Sequence, residues 1–495
     1  MAGRITLGLW LAAVVLAYRV IGPLASQLAE GIDVSRLPLG SLALSLTVVT
    51  LACAATVVWS AARAARLRRP TSAALDDAGL GRRGFLTGAA LVGGGLAATG
   101  LAVFARIQGW LFVTGRAVGE RVETISPDPK PAWSGARVQS YRRLGRTGVL
   151  VSDISLGSGV LTEESGGEAL AREAIERGIN YFDTSPDYSG ASSERALGRA
   201  LAGQREKIFL ATKFCTPSGH LPAGSPVSAY IDVVQSSLER LQTDHVDLVH
   251  VHACNEIERL SDPNLHEAFR SLREAGKVRF LGVSTHTPNL EQVADFAIAD
   301  GRFDVLMLAY HHGSFPRLAE IIARAHEADL GVVAMKTLKG AKHRGFAEFR
   351  DASDSYPQAA FKWVLANPSV SCLVISFWEP QQLDEYLYAS GQAPTSDDFA
   401  KLRRYDERIA GKHCFAHCGA CLDTCPENLA IHDVLRHRMY FEDYGQQKHA
   451  ISLYAKLEKQ ADVCIGCAAP CLGACPHGVP IQERTIGAHR LLTLV

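Results

Sequence analysis

The chain has 495 residues, long for one domain at about 150 residues per unit but suited to two or three units when one is a barrel. Its 51 Lys and Arg balance 51 Asp and Glu, so no overall charge bias argues for nucleic acid or for an acidic partner. Twelve cysteines are too few for a disulfide scaffold of this size, yet eight of them fall between Cys414 and Cys475, a crowding that points to ligation. Cys53, Cys215, Cys254 and Cys372 lie apart, in apolar or strand-like surroundings, and read as small core residues.

In chain order, three nearly uncharged stretches come first: Ile5 to Ile21, Ser41 to Ala62 and Gly84 to Ala105. Each approaches the roughly 20 residues that a membrane-spanning helix needs. Residues 1–106 are therefore expected to hold three transmembrane helices. The loop between the second and third carries Arg63, Arg66, Arg68, Arg69, Arg82 and Arg83 against Asp76 and Asp77. The bias of basic residues toward the inside places that loop in the cytoplasm and everything after Ala105 on the other side. The third stretch opens with Gly81, Arg82, Arg83, Gly84, Phe85 and Leu86, which resembles the twin-arginine signal of bacterial proteins exported already folded. The alternative is an arginine pair that flanks a helix only as a topology signal; both readings export the chain beyond Ala105. The expected location is the bacterial cytoplasmic membrane, multi-pass, with the catalytic part on the extracytoplasmic face. A linker, 107–138, contains the Pro-rich run Ser126 to Pro131.

From Tyr141 to about Gly391, short apolar runs alternate with amphipathic stretches of helical period. The runs lie at Val151 to Leu156, Asn180 to Asp183, Ile208 to Lys213, Val246 to Val251, Val278 to Ser284, Val305 to Leu308, Val332 to Met335 and Cys372 to Ile375. Helices are expected over Ala229 to Leu241, Asn264 to Ala275 and Arg317 to Ala328, among others. This alternation predicts an α/β fold, a (β/α)8 TIM barrel over 139–400, whose chemistry belongs at the C-terminal ends of its strands.

The run from Gly178 to Gly198, GINYFDTSPDYSGASSERALG, resembles the signature of the aldo-keto reductase superfamily. The segments Tyr141 to Gly157, that ending at Lys213, that ending at His252 and Gly276 to His286 resemble further parts of that family, in order and over about half the chain. The resemblance implies an oxidoreductase acting on a small-molecule carbonyl or alcohol, with its catalytic tetrad on Asp183, Tyr188, Lys213 and His252. Tyr188 would supply the proton that an alkoxide takes, Lys213 would stabilise the phenolate, and Asp183 would hold the ammonium in place. His252 would orient the carbonyl. His250 lies on the same strand face, but the later residue is nearer the mouth.

Residues 401–495 carry two runs, Cys414, Cys418, Cys421, Cys425 before Pro426, and Cys464, Cys467, Cys471, Cys475 before Pro476. Both end in CxxxCP, and bacterial ferredoxins lend the cysteine before proline to the other cluster. On that pattern Cys414, Cys418, Cys421 and Cys475 hold one [4Fe-4S] cluster, and Cys464, Cys467, Cys471 and Cys425 the second. One extra residue in each run leaves the pairing open. The segment resembles helical ferredoxin-like modules appended to some bacterial aldo-keto reductases. Tetrahedral zinc and disulfides are the competing readings of these thiols.

The family resemblance also implies NADPH, with Ser284 as the cofactor-binding candidate at the nicotinamide. Here Thr285 and His286 follow Ser284, and Met307 stands where a glutamine is common. The last strand runs from Cys372 into Ser376, Phe377, Trp378, Glu379 and Pro380, without the glycine and basic residues that would receive phosphates. Weak or absent NADPH binding is therefore expected, with electrons exchanged through the clusters. In the alternative reading the barrel is a binding or regulatory scaffold, and the clusters serve a membrane redox partner such as the quinone pool.

Overall fold

A computed structural model describes residues 129–162, 166–314, 316–339, 349, 355–377, 379–415, 418–443 and 447–493. The three expected membrane spans and the arginine pair lie outside the described residues. Among the described residues, no helix is long and apolar enough to cross a membrane.

The larger of two compact units comprises Arg121–His432 and Ala468–Ile481. Its first element is a hairpin of β1 (Tyr141–Arg143) and β2 (Leu150–Ser152). Then come β3 (Ile154–Gly157), β4 (Tyr181–Asp183), β5 (Phe209–Thr216), a two-residue β6 (Gly219–His220), β7 (Val246–Val251), β8 (Val278–Thr285), β9 (Val305–Ala309), β10 (Gly331–Met335) and β11 (Cys372–Ser376). The sheet runs β4, β3, β11, β10, β9, β8, β7, β5, and a β4–β5 pairing closes the ring. Every pair in that ring is parallel, so the expected barrel of eight parallel strands is present.

Helices α1 (Gly167–Glu176), α2 (Ser192–Ala200), α3 (Val227–Leu241), α4 (Ile257–Ser261), α5 (Pro263–Glu274), α6 (Leu290–Asp300), α7 (Pro316–Glu327), α8 (Tyr356–Leu365), α9 (Gln381–Leu387) and α10 (Ser396–Ile409) accompany the strands. Their apolar faces pack on the outside of the sheet, for example Val234 and Leu238 of α3 and Leu265 and Leu272 of α5, all essentially buried. The barrel interior is a separate apolar layer of Tyr181, Phe209, Leu248, Met307, Val333 and neighbours, capped from below by Leu144 of the hairpin turn. That turn presses so closely on β10 that a Cβ on Gly145 would collide with the Gly331 backbone. The N-terminal end is thereby plugged, and the C-terminal end is left for chemistry.

One expected strand divides. The run Val151 to Leu156 pairs first with β1 and then, from Ile154, inside the barrel. Buried Asp153 makes the corner, its carboxylate accepting from Ile154 N at 2.9 Å, Ser390 Oγ at 2.6 Å and Gly391 N at 2.8 Å. Apolar periodicity does not register a corner held by three side-chain bonds.

The smaller unit includes 433–467 and 482–493. Helices α11 (Ile431–Glu442), α12 (Gln447–Ala455) and α14 (Ile481–Leu492) supply its residues, with a one-turn α13 (Cys471–Ala474) preceding α14 in the larger unit. Within it, Arg438 Nη1 donates to Arg484 O at 3.1 Å, and Ala461 N donates to Tyr454 Oη at 2.8 Å.

Candidate active site and cysteine centre

Asp183 ends β4 and Lys213 lies on the neighbouring β5, so strand register brings their side chains together at the barrel mouth. Lys213 is 1% exposed; its Nζ donates to Asp183 Oδ1 and Oδ2, both at 2.7 Å, and to Thr184 O at 2.6 Å. Three acceptors for three donors is the condition under which a buried ammonium is tolerated. Burial pulls the Asp183 carboxyl above its ordinary range, and the Lys213 charge works against that rise.

The loop from β4 to α2 carries Tyr188, whose ring centre lies 4.8 Å from Lys213 Nζ. Ser193 and Glu194, both fully buried, latch this loop down. Ser193 Oγ donates to Ser158 O at 2.9 Å, Thr212 Oγ1 donates to Glu194 Oε1 at 2.7 Å, and Arg240 Nε donates to Glu194 Oε2 at 2.6 Å. Ser189 and Ala191 adopt left-handed φ of 51° and 68° to turn the chain between Tyr188 and the latch. The signature residues beyond Tyr188 thus set the loop's position.

His252 follows β7 and meets the Tyr188 ring edge to face, centroids 5.9 Å apart. Asp183, Lys213, Tyr188 and His252 converge at one place. His250 does not join them: it is fully buried beneath Gly282, where a Cβ would come within 2.5 Å of its ring. Burial, then the Lys213 charge, hold His250 well below its ordinary range, so it is neutral.

Two mouth residues were missed in the sequence. Asp187 Oδ2 lies 3.2 Å from His252 Nδ1 and 3.8 Å from His220 Nε2. Burial alone would raise the Asp187 carboxyl, but His252, Ser185 and His220 hold it well below the carboxylate range. The position of Asp187 directly before Tyr188 was the available signal. For His220, in a two-residue strand, there was none.

Ser284 is buried, and its hydroxyl is engaged internally: it accepts from Ala253 N at 3.0 Å and donates to Val251 O at 3.4 Å. Met307 is 2% exposed and lies in the inner apolar layer of the barrel. Trp378 is outside the described residues. Beyond β11, Glu379 precedes α9, a helix with Asp384 in its first turn and no basic residue in its last. Among the described residues 379–387, the charged side chains, Glu379, Asp384 and Glu385, are all acidic.

The chain's own C-terminal segment lies against the loops that follow β8, β9 and β10. Lys339 Nζ sits 4.5 Å from the Phe415 ring centre and 2.7 Å from Asp406 Oδ1. His312 Nε2 reaches the same carboxylate oxygen at 3.0 Å. The Phe415 ring lies 6.4 Å from His311 and meets His477 perpendicularly at 4.1 Å. A Cβ on Gly419 would stand 2.8 Å from Pro288, so chain and loop touch there too.

Cys414 precedes Phe415 in the chain, and Cys418, Cys421 and Cys425 follow it. Cys425 and Cys475 begin matching turns: Asn428 and Gly478 take left-handed φ of 51° and 62°. Leu429 N donates to Cys425 Sγ at 3.4 Å, and Val479 N donates to Cys475 Sγ at 3.4 Å. Burial, then the charges of Cys418, Cys475 and Cys471, push the Cys421 thiol up to about 11. Neighbouring cysteines that raise one another's thiols, with backbone N–H groups aimed at two of the sulfurs, are a donor set of the kind an iron–sulfur cluster would take as thiolates. In the smaller unit, Gln482 Nε2 donates to Cys464 O at 3.0 Å and Cys467 O at 2.7 Å, closing that loop.

A closed parallel barrel with an ion-paired lysine, a tyrosine and a histidine at its C-terminal mouth is a (β/α)8 barrel of enzyme type. Residues 154–351 match the model of the Aldo/keto reductase family. The chain is similar to L-galactose dehydrogenase of Arabidopsis thaliana, 29% identical over 50% of this chain and 87% of that protein. It is likewise similar to the uncharacterized oxidoreductase YqkF of Bacillus subtilis, 28% identical over 52% of this chain and 94% of that one. Among solved structures, aldo-keto reductase AKR11C1 from Bacillus halodurans is similar at 24% identity and a TM-score of 0.45, covering 54% of this chain and 95% of that one.

Proposed function

We propose that the chain is a membrane-anchored oxidoreductase of aldo-keto reductase type that acts on a carbonyl or alcohol group of a small molecule, with electron transfer through two [4Fe-4S] clusters. Its working face is extracytoplasmic. Asp183, Lys213, Tyr188 and His252 carry the chemistry. Lys213, neutralised by Asp183 and stripped of water, favours the phenolate of Tyr188 and so makes its hydroxyl a better proton donor to a developing alkoxide. His252 faces the same space and orients the carbonyl oxygen. The eight cysteines from Cys414 to Cys475 hold the clusters, which when bound supply one-electron transfer.

The observation that carries this reading is the placement of Phe415, beside Cys414, on the loops after β9 and β10. The stretch that bears Cys414 lies against these loops, and the residues after β11 are acidic where phosphate would need basic partners. Reducing one carbonyl takes two electrons and two protons: two clusters, when bound at the cysteine centre, would hold the two electrons, Tyr188 would give one proton to the oxygen and solvent the other, with NADPH binding weak or absent.

The test uses anaerobically purified full-length protein, assayed for iron, sulfide and turnover. About eight irons per chain are expected, with carbonyl reduction driven by a reduced artificial electron carrier and not by NADPH. Stoichiometric zinc without sulfide would refute the clusters. Micromolar NADPH affinity with steady NADPH-driven reduction would restore the ordinary family mechanism.

A further inference from the structure

Asp187, His220 and His252 each offer one ligand atom, and these atoms all lie within 4.8 Å of one another. The measured edges are 3.2 Å from Asp187 Oδ2 to His252 Nδ1 and 3.8 Å from Asp187 Oδ2 to His220 Nε2. Tetrahedral zinc with bonds of about 2.0–2.1 Å separates its ligand atoms by roughly 3.3–3.4 Å, so both Asp187 edges lie within about 0.5 Å of the spacing an ion needs. The two imidazoles meet at 68° with centroids 4.7 Å apart. A metal takes neutral imidazoles as ligands.

The scaffold around the three residues is built to hold them there. His220 is delivered by the β5–β6 hairpin, whose turn relies on Gly219 at φ 147°. Arg259, 5% exposed, ties the hairpin to the end of β7: its Nε donates to Leu221 O at 3.2 Å and its Nη1 to His252 O at 3.1 Å. Asp187 Oδ1 is buried and, among the described residues, has no hydrogen-bond partner. Ser185 Oγ lies 3.4 Å from His252 Nδ1 and 3.1 Å from Cys215 Sγ.

We propose that Asp187, His220 and His252 form a three-ligand site for a divalent cation of the zinc class at the barrel mouth, with its fourth position open toward Tyr188. The site has a chemical consequence for His252. Without an ion, the carboxylate beside Nδ1 keeps the proton there and leaves Nε2 an acceptor, unable to donate to a carbonyl unless the ring is charged. An ion on Nδ1 displaces that proton and puts the neutral ring's N–H on Nε2. The inference stands apart from the assignment of the cysteines, and its ligands are nitrogen and oxygen alone.

Cobalt(II) is the probe, added to the cluster-loaded full-length protein with its clusters oxidised and therefore diamagnetic. High-spin Co(II) EPR then reports the site, and pulsed EPR reads nitrogen coupling. One Co(II) per chain with two imidazole nitrogens and no sulfur is expected. His220→Ala and Asp187→Asn should each weaken its binding by at least roughly tenfold, with circular dichroism and iron content unchanged. Co(II) bound only through sulfur, no stoichiometric binding, or wild-type affinity in both variants would overturn the site.

Discussion

Replacing Lys213 by Met keeps the aliphatic stem and removes the charge, which isolates the ion pair from packing. The wild-type ammonium is 1% exposed and satisfies both oxygens of Asp183, itself 3% exposed. Breaking a buried pair from one side costs about 3–5 kcal/mol, because the other charge stays buried and unpaired. At roughly 2–4 °C per kcal/mol for a domain of this size, the melting temperature should fall by about 6–20 °C at neutral pH. The loss should depend on pH. Burial already raises Asp183 above its ordinary 3.8, and Lys213 is the main opposing influence. Without Lys213 the folded value climbs further, so between 3.8 and that higher value the native variant binds more protons than the unfolded chain. Stability of the variant therefore falls as pH rises through that window. Thermal melts of both proteins across about pH 4 to 8 should show the smallest gap at the acid end. The double variant Lys213→Met with Asp183→Asn should recover most of the neutral-pH loss. A gap independent of pH, or a loss under about 1 kcal/mol, the scale of an exposed pair, would refute the buried-pair reasoning.

Tyr188→Phe should lower the chemical step at least roughly a hundredfold with the fold intact, the scale of general acid catalysis; an unchanged rate would make the tetrad vestigial. Asp406 is held below its ordinary 3.8 by His312 and Lys339 despite burial. Its contribution to stability is therefore full above 3.8 and lost as pH falls through the folded value, so the deficit of Asp406→Asn in urea melts should shrink at acid pH. A reporter fused after Val495 should be active only if it works outside the cytoplasm, and Arg82→Lys with Arg83→Lys should block export. Continued export in that variant would point to the general secretory route.

The barrel was legible because its strands are buried on both faces and read as continuous apolar runs, which composition alone brings out. Val246 to Val251 coincides with its strand, Val151 to Leu156 divides between two, Ile208 to Lys213 stops three residues short of its strand's end, and the others differ by one residue at an end. What stayed hidden has a shared cause. The Asp153 corner, the β5–β6 hairpin and the contact of Phe415 with Lys339 all rest on partners far away in the chain or on segments too short to have a period. His220 was invisible for that reason, since two strand residues cannot show alternation.

The two histidines of β7 show how far alternation carries and where packing takes over. Period two puts His250 and His252 on one face, and distance from the strand end selects His252 for the mouth. It does not say what becomes of the other. His250 pairs in register with Lys213 on one side and Gly282 on the other. A second charge beside the buried lysine would be repelled, and burial and Lys213 together keep this ring neutral. Gly282 is needed there because any side chain would occupy the space of the imidazole. Gly282→Ala should therefore drive His250 against Lys213 and lower activity without touching a mouth residue. A neutral imidazole, one ion-paired ammonium beside it and an acid–imidazole pair at the rim set the order of charge from barrel to solvent. Position along β7 thus separates a filler from a functional group of the same residue type.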